Sequence, residues 1–397
     1  MSYLEILKDP IIGRLSLIQF ISYFGTWFSQ VAIFSMLVSY QADSVTIAMV
    51  ASMGMLPAVL LAPVIGIVID RVPFKKLMMM LLVVEIVMTL GFTFIDSLDM
   101  VWILMILIFI RSSSASMLFS AEMTLFPQII KGDMLKKTNE IHSIIWSLCY
   151  ASGMAVGGLA TYYIGFDIAF LIDASLYTVA IFILFGLHIS LEKTIHTNSN
   201  YDMLKEGFIY LISHKKIMHL ILIHATLGLT SFDALVTLLA DFQYREIIAV
   251  PLAIGWINGT RALGLMIGPL FISNFINKEN LQYLFFFQGI AIIVWAFLEF
   301  NFYISLIGIF LSGLFTTTLW SYTYMLIQEE IDPQYMGRVL SYNDMIFMLF
   351  SVTVALFIGY ASKWGLSLQS ITIILGLGFI GVAFYYYWFK EVYLDEK

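Results

Sequence analysis

The sequence predicts an all-α membrane protein in which twelve transmembrane helices form two halves of six. Three observations predict this fold class: the composition is very apolar, long apolar stretches recur along the whole chain, and the basic residues gather on one side of those stretches. A lipid bilayer is the solvent that fits them, because a helix satisfies its own backbone hydrogen bonds there.

The composition excludes most soluble and catalytic classes. Of the 397 residues, 60% are hydrophobic and 12% are charged, and the mean hydropathy is +0.92. Soluble domains have about 45–50% apolar and about 25% charged residues. Cys149 is the single cysteine, so no disulfide or multi-cysteine metal site can form within the chain. The sequence contains neither a phosphate-binding loop motif nor a zinc-protease motif, so we expect no enzyme activity, cofactor or metal.

The apolar stretches each have roughly the twenty residues that a helix needs to cross about 30 Å of hydrocarbon. Twelve occur, with approximate bounds 15–40, 45–69, 76–96, 100–127, 140–165, 168–190, 217–241, 251–275, 281–300, 302–328, 341–362 and 367–389.

The basic residues predict the orientation, because Lys and Arg beside a span resist translocation. With the N-terminus inside, sixteen of the twenty Lys and Arg fall in cytoplasmic segments. Arg245 and Lys363 lie in outside loops, while Arg111 and Arg261 lie within predicted helices. We therefore expect a multi-pass protein of the cell (plasma or inner) membrane with both termini in the cytoplasm.

The longest polar interruption divides the chain into six spans and six spans. It predicts an N-terminal bundle at 1–190, a cytoplasmic linker at 191–216 and a C-terminal bundle at 217–397. "IIKGDMLKK" (129–137) follows the fourth span and "EIDPQYMGR" (330–338) follows the tenth, 201 residues later. This echo favours parallel half-repeats, which are typical of one large class of transporters.

Several motifs resemble one family. "GIVIDRVPFKK" (66–76) is similar to the loop between helices 2 and 3 of the major facilitator superfamily: a Gly, an Asp-Arg pair and a basic cluster, with Pro73 and Phe74 replacing its glycine-bearing middle. Four more stretches resemble the drug-efflux branch that includes macrolide efflux pumps and the enterobactin exporter: "IRSSSASMLFSAEMTLFPQII" (110–130), "FLIDASLYTVA" (170–180), "DMLKEGFIYLISHKKI" (202–217) and "IQEEIDPQYMGRVLS" (327–341).

The resemblance implies a role for the short loop. Asp70, with Arg71, would form a conformational latch at the N-terminus of helix 11, near Leu340, when the cytoplasmic side is closed. A helix N-terminus carries partial positive charge that stabilises a carboxylate. Alternatively, Arg71 and the two lysines that follow only anchor the loop on the inside.

Two acid–base pairs are expected inside the membrane, where an unpaired charge is costly. Glu85 and Arg111 each lie thirteen residues from the turn near Leu98, and antiparallel helices would bring them to one depth. In the second half, Asp233 and Arg261 lie thirteen and fifteen residues from a loop centre near Glu246.

Proton coupling needs an acid that changes charge during the transport cycle. Asp233 is the first candidate, Glu85 the second, and His224, nine residues before Asp233, a third. Each has a structural alternative: a permanent ion pair for the acids and a simple hydrogen bond for the histidine. We expect structural roles near helix ends for four further acids, Glu122, Glu140, Asp173 and Asp344.

The resemblance implies a central cavity lined by helices 1, 4, 7 and 10. Mixed aromatic, hydroxyl and charged side chains there would suit an amphipathic molecule. The candidates are Gln19, Trp27, Gln30, Arg111, Ser113, Arg261, Thr317, Trp320 and Tyr324. Polar residues between membrane helices can equally serve in packing.

These observations together predict a secondary transporter. We expect export of an amphipathic small molecule, such as a drug, a siderophore or another metallophore, by proton antiport with alternating access. An importer or uniporter of the same fold, and a membrane receptor that transports nothing, are the alternatives. The expected partners are the substrate, protons and lipid, with a monomeric chain and no nucleic acid.

Overall fold

The computed structural model describes residues 3–61, 65, 68–69, 71–130, 132–187 and 200–394. Every regular element in these ranges is helical, which confirms the predicted all-α class. The chain forms two compact units: Met1–Ala42 with Leu61–Thr197, and Asp43–Leu60 with Asn198–Lys397.

Among the described residues, the first unit contains five α-helices with defined bounds. In chain order they are α1 (Tyr3–Leu7), α2 (Pro10–Ser39), α4 (Phe74–Phe92), α5 (Val101–Ile129) and α6 (Gly132–Phe185). The sequence starts α2 sharply, because the Asp9 side chain accepts the backbone N–H groups of Ile11 and Ile12 and a proline occupies the first turn.

Helix α6 consists of two helical arms that are separated by a break at Gly165. At Gly165 the backbone leaves the helical conformation, with φ +80°. Glycine adopts a positive φ with little strain because it has no Cβ. The sequence predicted two spans on either side of this residue, at 140–165 and 168–190. The arms 132–164 and 166–185 therefore correspond to the two predicted spans.

In the part of the second unit that the structure describes there are nine α-helices. They are α3 (Ser44–Leu60), α7 (Asn200–Ser213), α8 (Lys215–Ala225), α9 (Asp233–Leu238), α10 (Val250–Ile272), α11 (Leu281–Leu298), α12 (Phe302–Glu330), α13 (Met336–Lys363) and α14 (Leu368–Tyr393). Helices α8 and α9 share one irregular span, joined by a 3₁₀ turn at Thr226–Thr230 and continued by a π turn at Leu239–Gln243.

Helix α3 packs on α13 of the second unit. The Ser44 hydroxyl donates to the carbonyl of Gly359 over 3.0 Å, and the backbone of Gly359 lies against Ala48. The predicted boundary at residue 190 instead assigned this helix to the first half. By its position in the sequence α3 belongs to the first half, but by its packing it belongs to the second unit. The division into two halves of six spans stays a prediction.

Nine helical segments in the described ranges are long and apolar enough to cross a membrane. Three features account for the difference from the twelve predicted spans. One of the nine segments contains the break at Gly165. Helix α3 is apolar but shorter, and α4 has nineteen residues with two lysines in its first turn. The fold class is confirmed, while the count of twelve spans stays a prediction.

Basic residues near the start of α4 and of α2 have a specific structural role. The Lys75 ammonium donates to the carbonyls of Phe185 and Leu187, at 2.9 and 2.8 Å, and Arg14 donates to the carbonyl of Gly186. Unpaired carbonyls and partial negative charge make a helix C-terminus a good site for cations. Lys75 therefore does more than anchor the start of α4 on one side of the membrane, whereas Lys76 is exposed.

Two of the stretches that carry the family resemblance meet in the second unit. Tyr210 of α7 stacks on Tyr335, with ring centroids 4.2 Å apart, and its hydroxyl accepts the backbone N–H of Asp332 over 3.1 Å. Glu206 pairs with Arg338 at 2.9 Å. Helix α7 is thus held on the segment before α13.

Candidate functional site

A buried charge cluster lies inside the first unit. Arg111 of α5 donates from Nε to Glu85 of α4 over 3.0 Å and from a terminal nitrogen to Asp173 of α6 over 2.7 Å. Arg111 is 6% exposed, Glu85 1% and Asp173 fully buried. The expected Glu85–Arg111 pair is confirmed, and the arginine holds a second acid as well.

Hydroxyl groups and rings complete this cluster. The Tyr177 hydroxyl lies 3.3 Å from the Arg111 guanidinium and 3.2 Å from the Thr26 hydroxyl, and the Ser29 hydroxyl donates to Asp173. The rings of Phe92 and Tyr177 stand 5.6 and 5.7 Å from the guanidinium carbon. Three neighbouring helices and the second arm of α6 therefore converge on one cation.

The backbone of α2 comes unusually close to this cluster at Gly25. A Cβ at this position would collide with Oδ1 of Asp173 and would lie 3.4 Å from the ring of Tyr177. Only a residue without a side chain allows this approach. The glycine thus sets where the Asp173 carboxyl can lie.

The cluster has one acid more than it has bases. If Glu85 and Asp173 are both ionised, one guanidinium leaves a net charge of −1 in a place with little water. Oε1 of Glu85 and Oδ1 of Asp173 have no hydrogen-bond partner among the described residues. A proton on either acid would neutralise the site, so the arrangement can bind and release one proton.

Asp173 is the functional candidate that the sequence interpretation missed. We expected it near an outer helix end with a structural role, but it is fully buried against Arg111. It lies sixty-two residues from Arg111, on a helical arm that does not follow α5 through a single short turn, so counting residues from a shared turn could not pair the two. Its place in "FLIDASLYTVA", beside Tyr177, was the available signal.

The second expected pair does not form a direct contact. No ion pair within 4.0 Å joins Asp233 to Arg261 among the residues described, although the charge of Arg261 acts on Asp233. The Arg261 guanidinium instead lies 4.8 Å above the Phe232 ring, and its Nε has no partner in the described ranges. Counting residues from a loop placed the two charges at a similar depth, but it could not predict the direction of their side chains. Asp233 is the first residue of α9, just after an irregular turn, and this turn changes the direction of its side chain.

His224 joins two candidate cavity residues. Its Nδ1 lies 2.8 Å from the Thr323 hydroxyl, and Trp320 and Tyr324 have ring centroids 4.6 and 5.6 Å from it. Nε2 has no hydrogen-bond partner in the part of the chain described. The structure therefore brings three predicted residues together within the second unit.

The other candidate cavity residues differ in surroundings. Trp27 packs on Tyr150 with centroids 4.5 Å apart, and Gln30 is half-buried on the same helix. The Ser113 hydroxyl donates to its own helix at Phe109, and Thr317 donates to the carbonyl of Leu265 on α10 over 2.8 Å. Thr317 thus also holds two helices together.

Glu122 contradicts its expected place near water. It is fully buried beside Gln19, which is also fully buried, and neither carboxyl oxygen has a hydrogen-bond partner among the residues that the structure describes. Of the acids expected to have structural roles, Glu140 accepts the Tyr3 hydroxyl over 2.7 Å and Asp344 is exposed.

The predicted latch is only partly visible. Asp70 lies outside the described residues, and Arg71 is exposed.

Within the described ranges, no group of three or more His, Cys, Asp or Glu side chains could hold a metal ion.

Comparison with known proteins bears on this architecture. The family model described as Major Facilitator Superfamily matches residues 15–248. The chain is 25% identical to macrolide efflux protein A of Streptococcus pyogenes over 335 residues, covering 81% of each protein. It is also 25% identical to macrolide efflux protein A of Enterococcus faecalis over 319 residues, covering 76% of this chain and 97% of the relative.

Solved structures share the fold at low sequence identity. The nucleoside transporter NupG superposes with a TM-score of 0.75 at 16% identity and full coverage of both chains. A bacterial homolog of the human lysosomal transporter Spinster, inward-facing and unoccupied, gives 0.77 at 12% identity, covering 100% of this chain and 99% of that one. These likenesses establish the fold alone.

Proposed function

Because this chain belongs to the Major Facilitator Superfamily, we propose that it exports an amphipathic small molecule across the cell membrane in exchange for protons. It is a multi-pass membrane transporter of small molecules. The direction is supported by two relatives whose names describe macrolide efflux. A nucleoside transporter has the same fold, so the fold by itself does not favour export.

The Arg111 cluster is the observation that carries proton coupling. A buried arginine between two carboxyls makes a site whose charge changes by one when a proton arrives, and Glu85 was already the second candidate for this role. Removing a partner from a buried pair is costly, so ionisation of the acids is tied to the position of Arg111. Each proton entering the cell contributes about 2.3 kcal/mol per 100 mV.

Asp233 and His224 are the candidates for a second coupling site. Asp233 is half-buried and lacks a direct ion pair among the described residues, so it can change charge without breaking one. His224 lies among Trp320, Tyr324 and Thr323, where a change of tautomer or charge would alter the packing of α12.

The substrate would be recognised by rings and a few polar groups. In the first unit these are Gln19, Trp27, Gln30, Arg111 and Ser113, and in the second unit Arg261, Thr317, Trp320 and Tyr324. Asp70 and Arg71 would act as the conformational latch. A drug, a siderophore or another metallophore fits this description of the substrate.

Transport by purified protein in lipid vesicles tests the proposal. A radiolabelled macrolide is the probe, an inside-out orientation is selected, and a pH gradient is imposed. We expect the gradient to drive macrolide uptake by the unaltered protein and to lose this effect in Glu85→Gln, Asp173→Asn and Asp233→Asn. Glu140→Gln, a surface acid, is the matched control.

Two results would contradict parts of this proposal. Uptake by the unaltered protein that ignores the gradient would favour a uniporter, and uptake driven only from the opposite face would favour an importer. Full gradient response in both Glu85→Gln and Asp173→Asn would remove the Arg111 cluster from coupling. Saturable binding without any transport would favour a receptor.

A further inference from the structure

A second group of buried polar side chains lies in the first unit, apart from the Arg111 cluster. Helix α2 contributes Gln19 and Tyr23, α5 contributes Glu122 and α6 contributes His142. Gln19 and Glu122 are fully buried and His142 is 9% exposed. The rings of Tyr23 and His142 meet edge to face, with centroids 5.7 Å apart. We call these four residues the Glu122 group.

The Glu122 group is short of hydrogen bonds. Both carboxyl oxygens of Glu122, both amide atoms of Gln19, the Tyr23 hydroxyl and Nδ1 of His142 have no partner among the described residues. Buried polar atoms in folded proteins nearly always have partners, and isolated exceptions call for an unseen water, ion or proton. Six such atoms on four neighbouring side chains indicate a binding site rather than a local defect.

No cation is available to Glu122. Neither Lys nor Arg lies within 4.0 Å of it in the part of the chain that the structure describes. The titratable groups nearby are Tyr23 from α2, and His142 and Cys149 from α6. Apolar residues of α4 pack around this part of α5, among them Leu77, Met78 and Leu81. An ionised carboxylate would stand there uncompensated, which is far costlier than a neutral acid.

Gln19 suits the neutral acid. A protonated carboxyl has one O–H donor and one carbonyl acceptor, whereas the ionised form only accepts. The side-chain amide of Gln19 also offers one of each, so it can pair with a protonated Glu122 in both directions. The amide N–H groups of Gln19 could also donate to an ionised carboxylate, but its amide oxygen would then receive no donor from Glu122. Gln19 therefore satisfies both of its polar groups on Glu122 only when the carboxyl is protonated.

We propose that Glu122 is a proton-binding site separate from the Arg111 cluster, neutral in this conformation, with Gln19 as its hydrogen-bond partner. The binding site follows from the geometry of this unit, whereas a part in transport rests on the proposed function. Under that function, Glu122 would release its proton only in a conformation that admits water to it.

Infrared spectroscopy of the full-length protein tests the binding site directly. At neutral pH we expect the carbonyl stretching band of a protonated carboxylic acid, which shifts slowly in heavy water because the group is buried. Glu122→Gln should lose the component of this band that belongs to Glu122, and Glu122→Asp should retain it. A protonated acid in the Arg111 cluster would contribute its own component equally to both variants. Glu140→Gln, which alters a carboxyl near the surface, should leave it in place.

A band that persists unchanged in Glu122→Gln would overturn the proposal. If Glu122→Gln does not fold, Gln19→Leu serves instead, since loss of the partner should shift the same band and an unmoved band would contradict the pairing. The result does not depend on transport. Vesicles that show no proton-driven uptake would refute the proposed function while leaving the band, and the proton on Glu122, as found.

Discussion

Arg111 lies between two carboxyls, and its contact with Asp173, at 2.7 Å, is shorter than its contact with Glu85. The first contact joins α5 to the second arm of α6, and the other joins α5 to α4. Charge pairing inside a membrane segment thus also fixes how three helices pack. A side chain that serves both tasks makes stability and proton binding depend on the same group.

Replacing Arg111 with alanine should strongly destabilise the first unit. Two buried carboxyls would lose their counter-charge, and breaking a buried pair costs about 3–5 kcal/mol. Arg111→Lys keeps a charge but has no planar fork to reach both acids, so its loss should be smaller. Thermal unfolding in detergent measures both variants. Adding Asp173→Asn to Arg111→Ala should recover part of the loss, and an Arg111→Ala protein as stable as the unaltered one would contradict this.

Gly25→Ala should disturb the same cluster from the backbone side. The added methyl group would collide with Oδ1 of Asp173, and overpacking of this kind costs about 1–3 kcal/mol. Gly381→Ala is the matched control, because nothing lies within 4 Å of a Cβ there. A helical alanine at that position should stabilise by about 0.5–1 kcal/mol. Equal unfolding temperatures for the two variants would show that α2 can move away without cost.

Much of the fold could be predicted from the sequence because lipid imposes simple rules. Spans must be long and apolar, and the break at Gly165 falls where two predicted spans meet. Counting thirteen residues in each direction from the turn near Leu98 also predicted the pair of Glu85 and Arg111. Both results depend on distances along the helix axis, which residue counting measures well.

The contacts that sequence counting could not give depend on rotation about each helix and on distant helices. Asp173 and Glu122 were both judged by their distance from a helix end, yet each points into a packed interior. We paired Asp233 with Arg261 because the two lie at a similar depth, but the turn before α9 determines where the Asp233 side chain points. Rotation within apolar spans is weakly encoded when lipid-facing and buried sides are equally apolar.

Lys75→Met should weaken the C-terminus of α6. Two carbonyls would lose their donor, and exposed helix-end charges contribute about 0.3–1 kcal/mol. Hydrogen exchange in the last turn, before Phe185, should rise, while Arg14 still caps Gly186 and limits the effect. Lys76→Met changes an exposed neighbour and should leave exchange unaltered. Faster exchange in both variants would mean that the total positive charge near the start of α4, and not the two hydrogen bonds of Lys75, stabilises the end of α6.

Tyr210→Phe should loosen α7 from the segment before α13. The variant keeps the ring that stacks on Tyr335 but loses the hydroxyl that accepts the Asp332 N–H. A hydrogen bond of this kind contributes about 0.5–1.5 kcal/mol, so amide exchange at Asp332 should rise several-fold. Glu206→Gln removes a mostly exposed ion pair to Arg338 and should change exchange less. An equal or larger effect of Glu206→Gln would assign the docking of α7 to charge.

The start of α3 should respond to acid through Asp43, which lies in the turn before the helix. Its carboxylate accepts the backbone N–H of Thr46 over 2.7 Å, and the hydrogen bond from the Thr46 side chain, together with this backbone bond, lowers the pKa of Asp43 below its ordinary value. A lowered pKa means that the ionised form stabilises the folded helix. That stability is complete above the ordinary value, about pH 4, and is lost as the pH falls through the lowered pKa. Hydrogen exchange of the first turn, at residues 44–47, should therefore accelerate below about pH 4. Asp43→Asn keeps an oxygen that can cap the helix but cannot titrate, so its exchange should lack this acid step. An acid step of the same size in Asp43→Asn would show that another group is responsible.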